Sequence, residues 1–191
     1  MTLNDLVQCG VCTFRIYLKS GSILAASVAE DQMVSDTVNT MTQNVAQKTG
    51  VGLVIMRENS VLLAERLVEL GDGLFTGPGG LVEANESLTD ALHRELLEEC
   101  GEDIQVATPR RICEIFYPAE TARGHVLFKG IGFVATYLSG EALNTEPTKM
   151  GPWQWHSLEN LPRLFEPMKA YIRALRTGEE FINIPAQNGN N

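Results

Sequence analysis

The stretch GGLVEANESLTDALHRELLEECGE, residues 79–102, sets Glu95, Glu98 and Glu99 in the last two turns of a predicted helix that contains no lysine. A helix C-terminus carries partial negative charge, so each acid there is disfavoured by roughly several tenths of a kcal/mol. None of these glutamates is followed four residues on by Lys or Arg, and Arg94 reaches Glu98 only in the weaker i,i+4 orientation. On a helical projection the three acids border the apolar stripe Leu88, Leu92 and Leu96. A solvated acidic face is the ordinary alternative. Repelling carboxylates at the wrong end of the dipole, next to the core, suit a hard divalent cation better. Mg²⁺, with Mn²⁺ as second choice, takes oxygen ligands and keeps several waters on an open face.

The flanks agree with this chemistry. Ser87 is a predicted N-cap with Asp90 three residues on, and Gly101 is a natural C′ residue, which bounds the helix at about Leu88 to Cys100. Immediately upstream, GDGLFTGPGG lets the backbone approach a ligand closely, with carbonyls for a metal and amides for phosphate.

Gly80, Glu86 and the run Arg94-Glu95-Leu96-x-Glu98-Glu99-x-Gly101 resemble, at every fixed position, the signature box of the Nudix hydrolases. Glu102 departs from it, standing where the family has an aliphatic residue. The resemblance spans about residues 50–177, and TGVGLVIM, GDGLFTGPGG and EPTKMGPWQW are similar to the MutT-related nucleoside triphosphate pyrophosphatases. It implies that Glu95, Glu98 and Glu99 hold Mg²⁺, with the Gly79 carbonyl as a further ligand. It also implies that Glu86 and Arg94 brace the segment, together with Gly80 and Gly101. One of Glu95 and Glu98 would orient or deprotonate the attacking water, and which of them does so stays open. The implied reaction splits a nucleoside triphosphate into a monophosphate and pyrophosphate. The alternatives are another nucleoside diphosphate linked to a sugar or second nucleotide, and a non-catalytic nucleotide sensor, against which the intact acids argue.

Other residues are candidates for choosing the substrate. Trp153 and Trp155 fall on one face of a predicted strand, where one could stack on a base, although such pairs more often pack a core. Phe75 and Phe116–Tyr117 carry the same two readings, and Glu146 either reaches the metal site from its loop or is a solvated acid. No nucleophile–base pairing is evident around His93, His125 or His156.

These residues need a sheet to hold them. VGLVIMR, SVLLAER, IQVA, RICEIFY, HVLFKGIGFVATYL and WQWH read as strands, SLENLP as a turn of helix and Pro167–Thr177 as a helix. Strands interleaved with two helices, without a regular βα repeat, predict an α/β protein of the α+β type: a mixed sheet sandwiched between helices, the Nudix fold that the resemblance implies. Ahead of it, residues 12–29 read as a hairpin and 31–47 as a helix with a thin apolar stripe. The expected organisation is an extension over 1–47, a catalytic domain over 48–178 and a tail over 179–191.

A net charge of −9 argues against a non-specific nucleic-acid binder, though not against an anionic substrate, since a bound cation reverses the local sign. No run approaches the roughly 18 apolar residues of a membrane helix, and no secretory leader is evident. Cys9 and Cys12 form a C-x-x-C without a second pair to complete a zinc site, so the four cysteines read as reduced thiols of a cytoplasmic protein. The hairpin's edge strands suggest a homodimer.

Overall fold

The computed structural model describes residues 13–17, 23–27, 46–121 and 124–185. The chain divides into two units, Met1–Val45 and Ala46–Asn191. In the first, β1 (Thr13–Tyr17) and β2 (Ile23–Ser27) pair antiparallel, with Phe14 opposite Ala26 and Ile16 opposite Leu24. The helix expected over 31–47 lies outside the described residues, apart from its last two positions, which are strand.

The second unit runs β3 (Ala46–Arg57), β4 (Ser60–Glu65), β5 (Phe75–Thr76), β6 (Gly79–Leu81), α1 (Leu88–Cys100), β7 (Gln105–Val106), β8 (Arg110–Thr121), β9 (Gly124–Ser139), β10 (Gln154–Ser157), α2 (Glu166–Thr177) and β11 (Phe181–Asn183). The main sheet has the order β10-β4-β3-β9-β8-β11. It is mixed: β3–β9 and β8–β11 are parallel, whereas β3–β4, β8–β9 and β4–β10 are antiparallel.

Alternation along the strands builds two cores. Val51, Leu53 and Ile55 of β3 point to the face covered by α1, where they meet Leu92, Ile131 and Phe133. Val54 points to the face covered by α2, with Val61, Ile115 and Met168. Full burial of a Leu or Ile stabilises by roughly 1.5–3 kcal/mol, so Leu53, Ile55 and Leu92 account for much of the docking of α1. On the α2 face a Cβ at Gly52 or Gly132 would overlap the ring of Tyr171, and one at Gly130 its hydroxyl. Three glycines on adjacent strands thus leave a slot that one aromatic side chain of α2 fills.

The feature that positions the site is a fork. β4 pairs with β3 only at Met56–Arg57, next to the turn, and then diverges. The edge of β3 so released is taken by β6, with Gly52 opposite Gly79 and Gly50 opposite Leu81. The glycine-rich loop is wedged there, and a Cβ at Gly77 or Gly79 would strike the carbonyls of Leu53 or Val51. Gly79 also has φ +151°, which side chains avoid.

Two local expectations are corrected. Ser157–Asn160 is a turn, not a turn of helix: Leu158 N–H donates to the Asn59 carbonyl at 2.9 Å, which ties it to the β3–β4 turn, and Pro162 follows. Phe181–Asn183, within the stretch read as tail, is a strand whose Ile182 is buried against β8. Among the described residues no helix is long and apolar enough to cross a membrane.

Candidate active site

Helix α1 starts where Ser87 accepts a hydrogen bond from Asp90 N–H at 3.1 Å, and it ends where Gly101 N–H donates to the Leu97 carbonyl at 3.0 Å. Its last turn holds no basic residue. Just ahead of it, Glu86 and Arg94 make a bidentate pair, Nε to Oε1 at 2.8 Å and Nη2 to Oε2 at 3.0 Å. Arg94 Nη2 also donates to the Leu81 carbonyl at 2.9 Å, which ties the helix to β6. The Arg94 guanidinium, with help from Glu83 N–H, holds the Glu86 carboxyl below the usual range.

The three acids occupy different environments. The Glu95 side chain is 13% exposed and Glu98 52%. Glu95 packs against Gly80 so closely that a Cβ there would overlap its carboxylate. Burial pushes the Glu95 pKa up, although Arg94 Nη1 donates to it at 2.8 Å. Glu99 is deeper. Burial pushes its carboxyl up to about 8, despite a hydrogen bond from Gly79 N–H at 2.9 Å, and the charges of Glu95 and Glu146 add to the rise.

The ladder explains why Gly79 serves this acid. Leu53 N–H donates to Pro78 and Val82 N–H to Thr49, so the bonded positions of β3 and β6 alternate around Gly79. Its N–H and C=O therefore turn away from β3, toward the acids. Carboxylates and a main-chain carbonyl are the oxygen donors a hard divalent cation takes. Among the described residues no three acid, histidine or cysteine side chains converge as a ready cage. Instead Arg94 Nη1 supplies the positive charge, bonding Glu95 and reaching Glu98 at 3.3 Å.

A strap of residues 143–153 closes the far end of α1. Leu143 N–H donates to the Cys100 carbonyl at 2.8 Å, the Thr145 hydroxyl to Glu98 and the Trp153 indole N–H to Glu99 at 2.9 Å. Three orphan carbonyls of the helix end are thereby satisfied. The strap's other edge meets β4, through Leu67 N–H to Lys149 at 2.7 Å and Gly151 N–H to Glu65 at 2.8 Å. Glu146 is thereby held where its charge is felt by both Glu95 and Glu99.

The structure thus brings Gly79, Gly80, Glu86, Arg94, Glu95, Glu98, Glu99, Gly101 and Glu146 together. The aromatic candidates lie elsewhere or serve other contacts. Trp153 lies just before β10 rather than on it, and with Trp155 it lines a cleft of about 350 Å³ that Arg57 and Tyr137 share. Arg57 lies 4.2 Å above the Trp155 ring, and in extended β3 it is about 17 Å from Gly52. Phe75 packs edge-on against His156 at 5.3 Å, and Tyr117 against Phe165 at 5.8 Å.

Sequence reasoning missed Arg66, Asn144, Thr145 and Lys149. Arg66 stacks 4.5 Å over Phe165, and among the described residues its one side-chain hydrogen bond runs from Nε to the Leu70 carbonyl at 2.9 Å. Burial lowers its pKa, opposed by the charge of Glu99. Asn144 brackets the strap, accepting from Glu146 N–H at 3.1 Å and donating to the Met150 and Gly151 carbonyls at 2.7 and 3.0 Å. The EPTK quartet offered a partial signal, an acid and a base three residues apart in a loop.

Comparison with known proteins agrees with this geometry. The NUDIX domain model matches residues 46–175. The chain is 42% identical over 74 residues to the low-salt glycan biosynthesis protein Agl8 of Haloferax volcanii, covering 39% of this chain and 47% of that protein. It is 32% identical over 112 residues to an ADP-ribose pyrophosphatase of Methanocaldococcus jannaschii, covering 58% and 62%. The chain therefore spans about half to three-fifths of the length of these curated relatives. Among solved structures, a MutT NUDIX hydrolase from Burkholderia pseudomallei superposes with a TM-score of 0.61 at 26% identity, over 68% of this chain and 98% of that one. A loop wedged into a forked sheet, an acidic helix braced by Arg94 and a domain-wide match lead to one conclusion: the chain belongs to the Nudix family.

Proposed function

We propose that the protein is a Mg²⁺-dependent hydrolase that cleaves a nucleoside triphosphate between its α and β phosphates, releasing a nucleoside monophosphate and pyrophosphate. The observation that carries this is the acid patch at the end of α1: part-buried Glu99, bonded by Gly79 N–H at 2.9 Å, beside Glu95 and Glu98, with the Gly79 carbonyl off the β3 ladder. That donor set fits a hard cation and leaves an excess of negative charge for one to neutralise. Glu95, Glu98, Glu99 and the Gly79 carbonyl would hold it, with Glu146 within reach from the strap. When bound, the ion neutralises the phosphate chain and lowers the pKa of water.

The chain's own residues do the rest. Glu86 and Arg94 fix the helix against β6, so the acids present one face to the loop. Glu98, the most exposed of the three, and Glu95, packed on Gly80, are the two candidates for accepting the proton of the attacking water. Water adds to phosphorus, the anhydride oxygen leaves with its electron pair, and the proton passes to a carboxylate. Trp153, bonded to the Glu99 main chain, is the aromatic candidate tied directly to the acid helix.

A second reading, a nucleoside diphosphate linked to a sugar, is favoured by the similarity to an ADP-ribose pyrophosphatase. One experiment separates the two. With a panel of nucleotides in H₂¹⁸O, a triphosphate should give monophosphate and pyrophosphate, with no orthophosphate as a primary product. Accumulation of diphosphate and orthophosphate would sink the assignment, and preferential turnover of ADP-ribose would establish the second reading. Excess EDTA should abolish turnover, and Ca²⁺ should substitute poorly.

A further inference from the structure

Every donor of Arg94 is committed, to Glu86, Leu81, Glu95 and Glu98, so this arginine cannot serve a substrate without releasing the helix. Lys149 differs. Its ammonium lies 2.6 Å from Glu146 Oε1, and its side chain is 59% exposed. The turn that carries both residues is closed by Lys149 N–H and Met150 N–H donating to the Glu146 carbonyl at 2.9 and 3.0 Å. Asn144 brackets that turn, and Thr145 pins it to the main chain of Glu98. The pair is thus delivered to the acid patch by a hydrogen-bonded support, while its lysine side is open to solvent and screened.

We propose that Lys149 is an exchangeable counter-ion: it neutralises Glu146 in the metal-free protein and is released to the non-reacting phosphates of the substrate when a divalent cation takes the acids. Anhydride binding rests on the proposed hydrolase activity; the counter-ion role does not. The charges of Glu99 and Glu95 also act on Lys149, in accord with its place at the patch. The exchange keeps the local charge nearly balanced at each stage. It gives the strap a reason to present a base beside an acid that a metal would otherwise hold alone.

Lys149→Gln removes a competing cation but keeps the turn. Calorimetric titration of the full chain with Mg²⁺ alone should show binding tightened about threefold or more, the scale of an exposed ion pair. Titration with inorganic pyrophosphate at saturating Mg²⁺ should show binding weakened about fivefold or more, with Lys149→Arg restoring most of it. Asn144→Ala, which loosens the whole strap, should weaken both. Opposite signs in Lys149→Gln therefore distinguish an exchanging group from a structural one. Metal affinity unchanged or weakened in Lys149→Gln overturns the counter-ion role, and unchanged pyrophosphate affinity overturns the release to phosphate. The metal titration contains no anhydride, so it decides the counter-ion role even if the nucleotide panel shows no hydrolysis.

Discussion

In the metal-free protein the Glu99 carboxyl, pushed up to about 8, is mostly protonated at neutral pH, whereas in the unfolded chain it ionises near 4.5. The folded state therefore binds this proton more tightly. That contribution to stability is fully present below about 4.5 and is lost as pH rises toward about 8. Thermal melts in excess EDTA should show the loss in the wild type and a flatter profile in Glu99→Gln; identical slopes would contradict the burial argument. Glu98→Gln and Glu99→Gln should each lower kcat by at least about 10²-fold with the fold intact. Unchanged turnover in both variants would remove their assigned roles. The spacing of these acids was legible because a helix converts sequence intervals into a face. Arg66 and Lys149 were not, because a strand end and a loop turn reach the same patch from places no local period connects.

Among the elements, α1 was legible to the residue, since Ser87 and Gly101 bound it and Leu88, Leu92 and Leu96 give it an inner side. The long strands were also legible, although β3 and β8 each run to 12 residues, well past VGLVIMR and RICEIFY. The fork between β3 and β4 was not, because the divergence depends on β6 claiming an edge, a tertiary competition. The slot of Gly52, Gly130 and Gly132 was hidden likewise: a glycine in a strand announces room, not its occupant. Gly132→Ala places a methyl about 2.5 Å from the Tyr171 ring and 3.1 Å from Cys113 Sγ. It should cost roughly 1–3 kcal/mol in chemical denaturation, since neither neighbour has space to yield. A loss under about 0.5 kcal/mol would mean that α2 docks loosely.

For the whole molecule, both cores and every candidate site residue lie downstream of Val45. A chain beginning at Ala46 should fold, melt cooperatively and bind Mg²⁺ as the full chain does. If the hairpin supports self-association, sedimentation should show the full chain as a dimer and the truncated one as a monomer; equal states would refute that role. The parallel pairing of β3 with β9 has a further consequence, for the order of assembly. Ala46 lies opposite Val126 and Met56 opposite Thr136, so β3 leaves the ribosome long before its main neighbour exists. Until then it has only the short ladders of β4 and β6 beside it, and α1 has only part of its floor. Contacts so distant in sequence close slowly, and an apolar strand waiting for them invites aggregation. Nascent-length fragments ending at residue 123 should therefore leave the amides of β3 and α1 unprotected from exchange, and those ending at 139 should begin to protect them. Protection already present in the shorter fragment would mean that the glycine loop and acidic helix organise themselves before the sheet is complete.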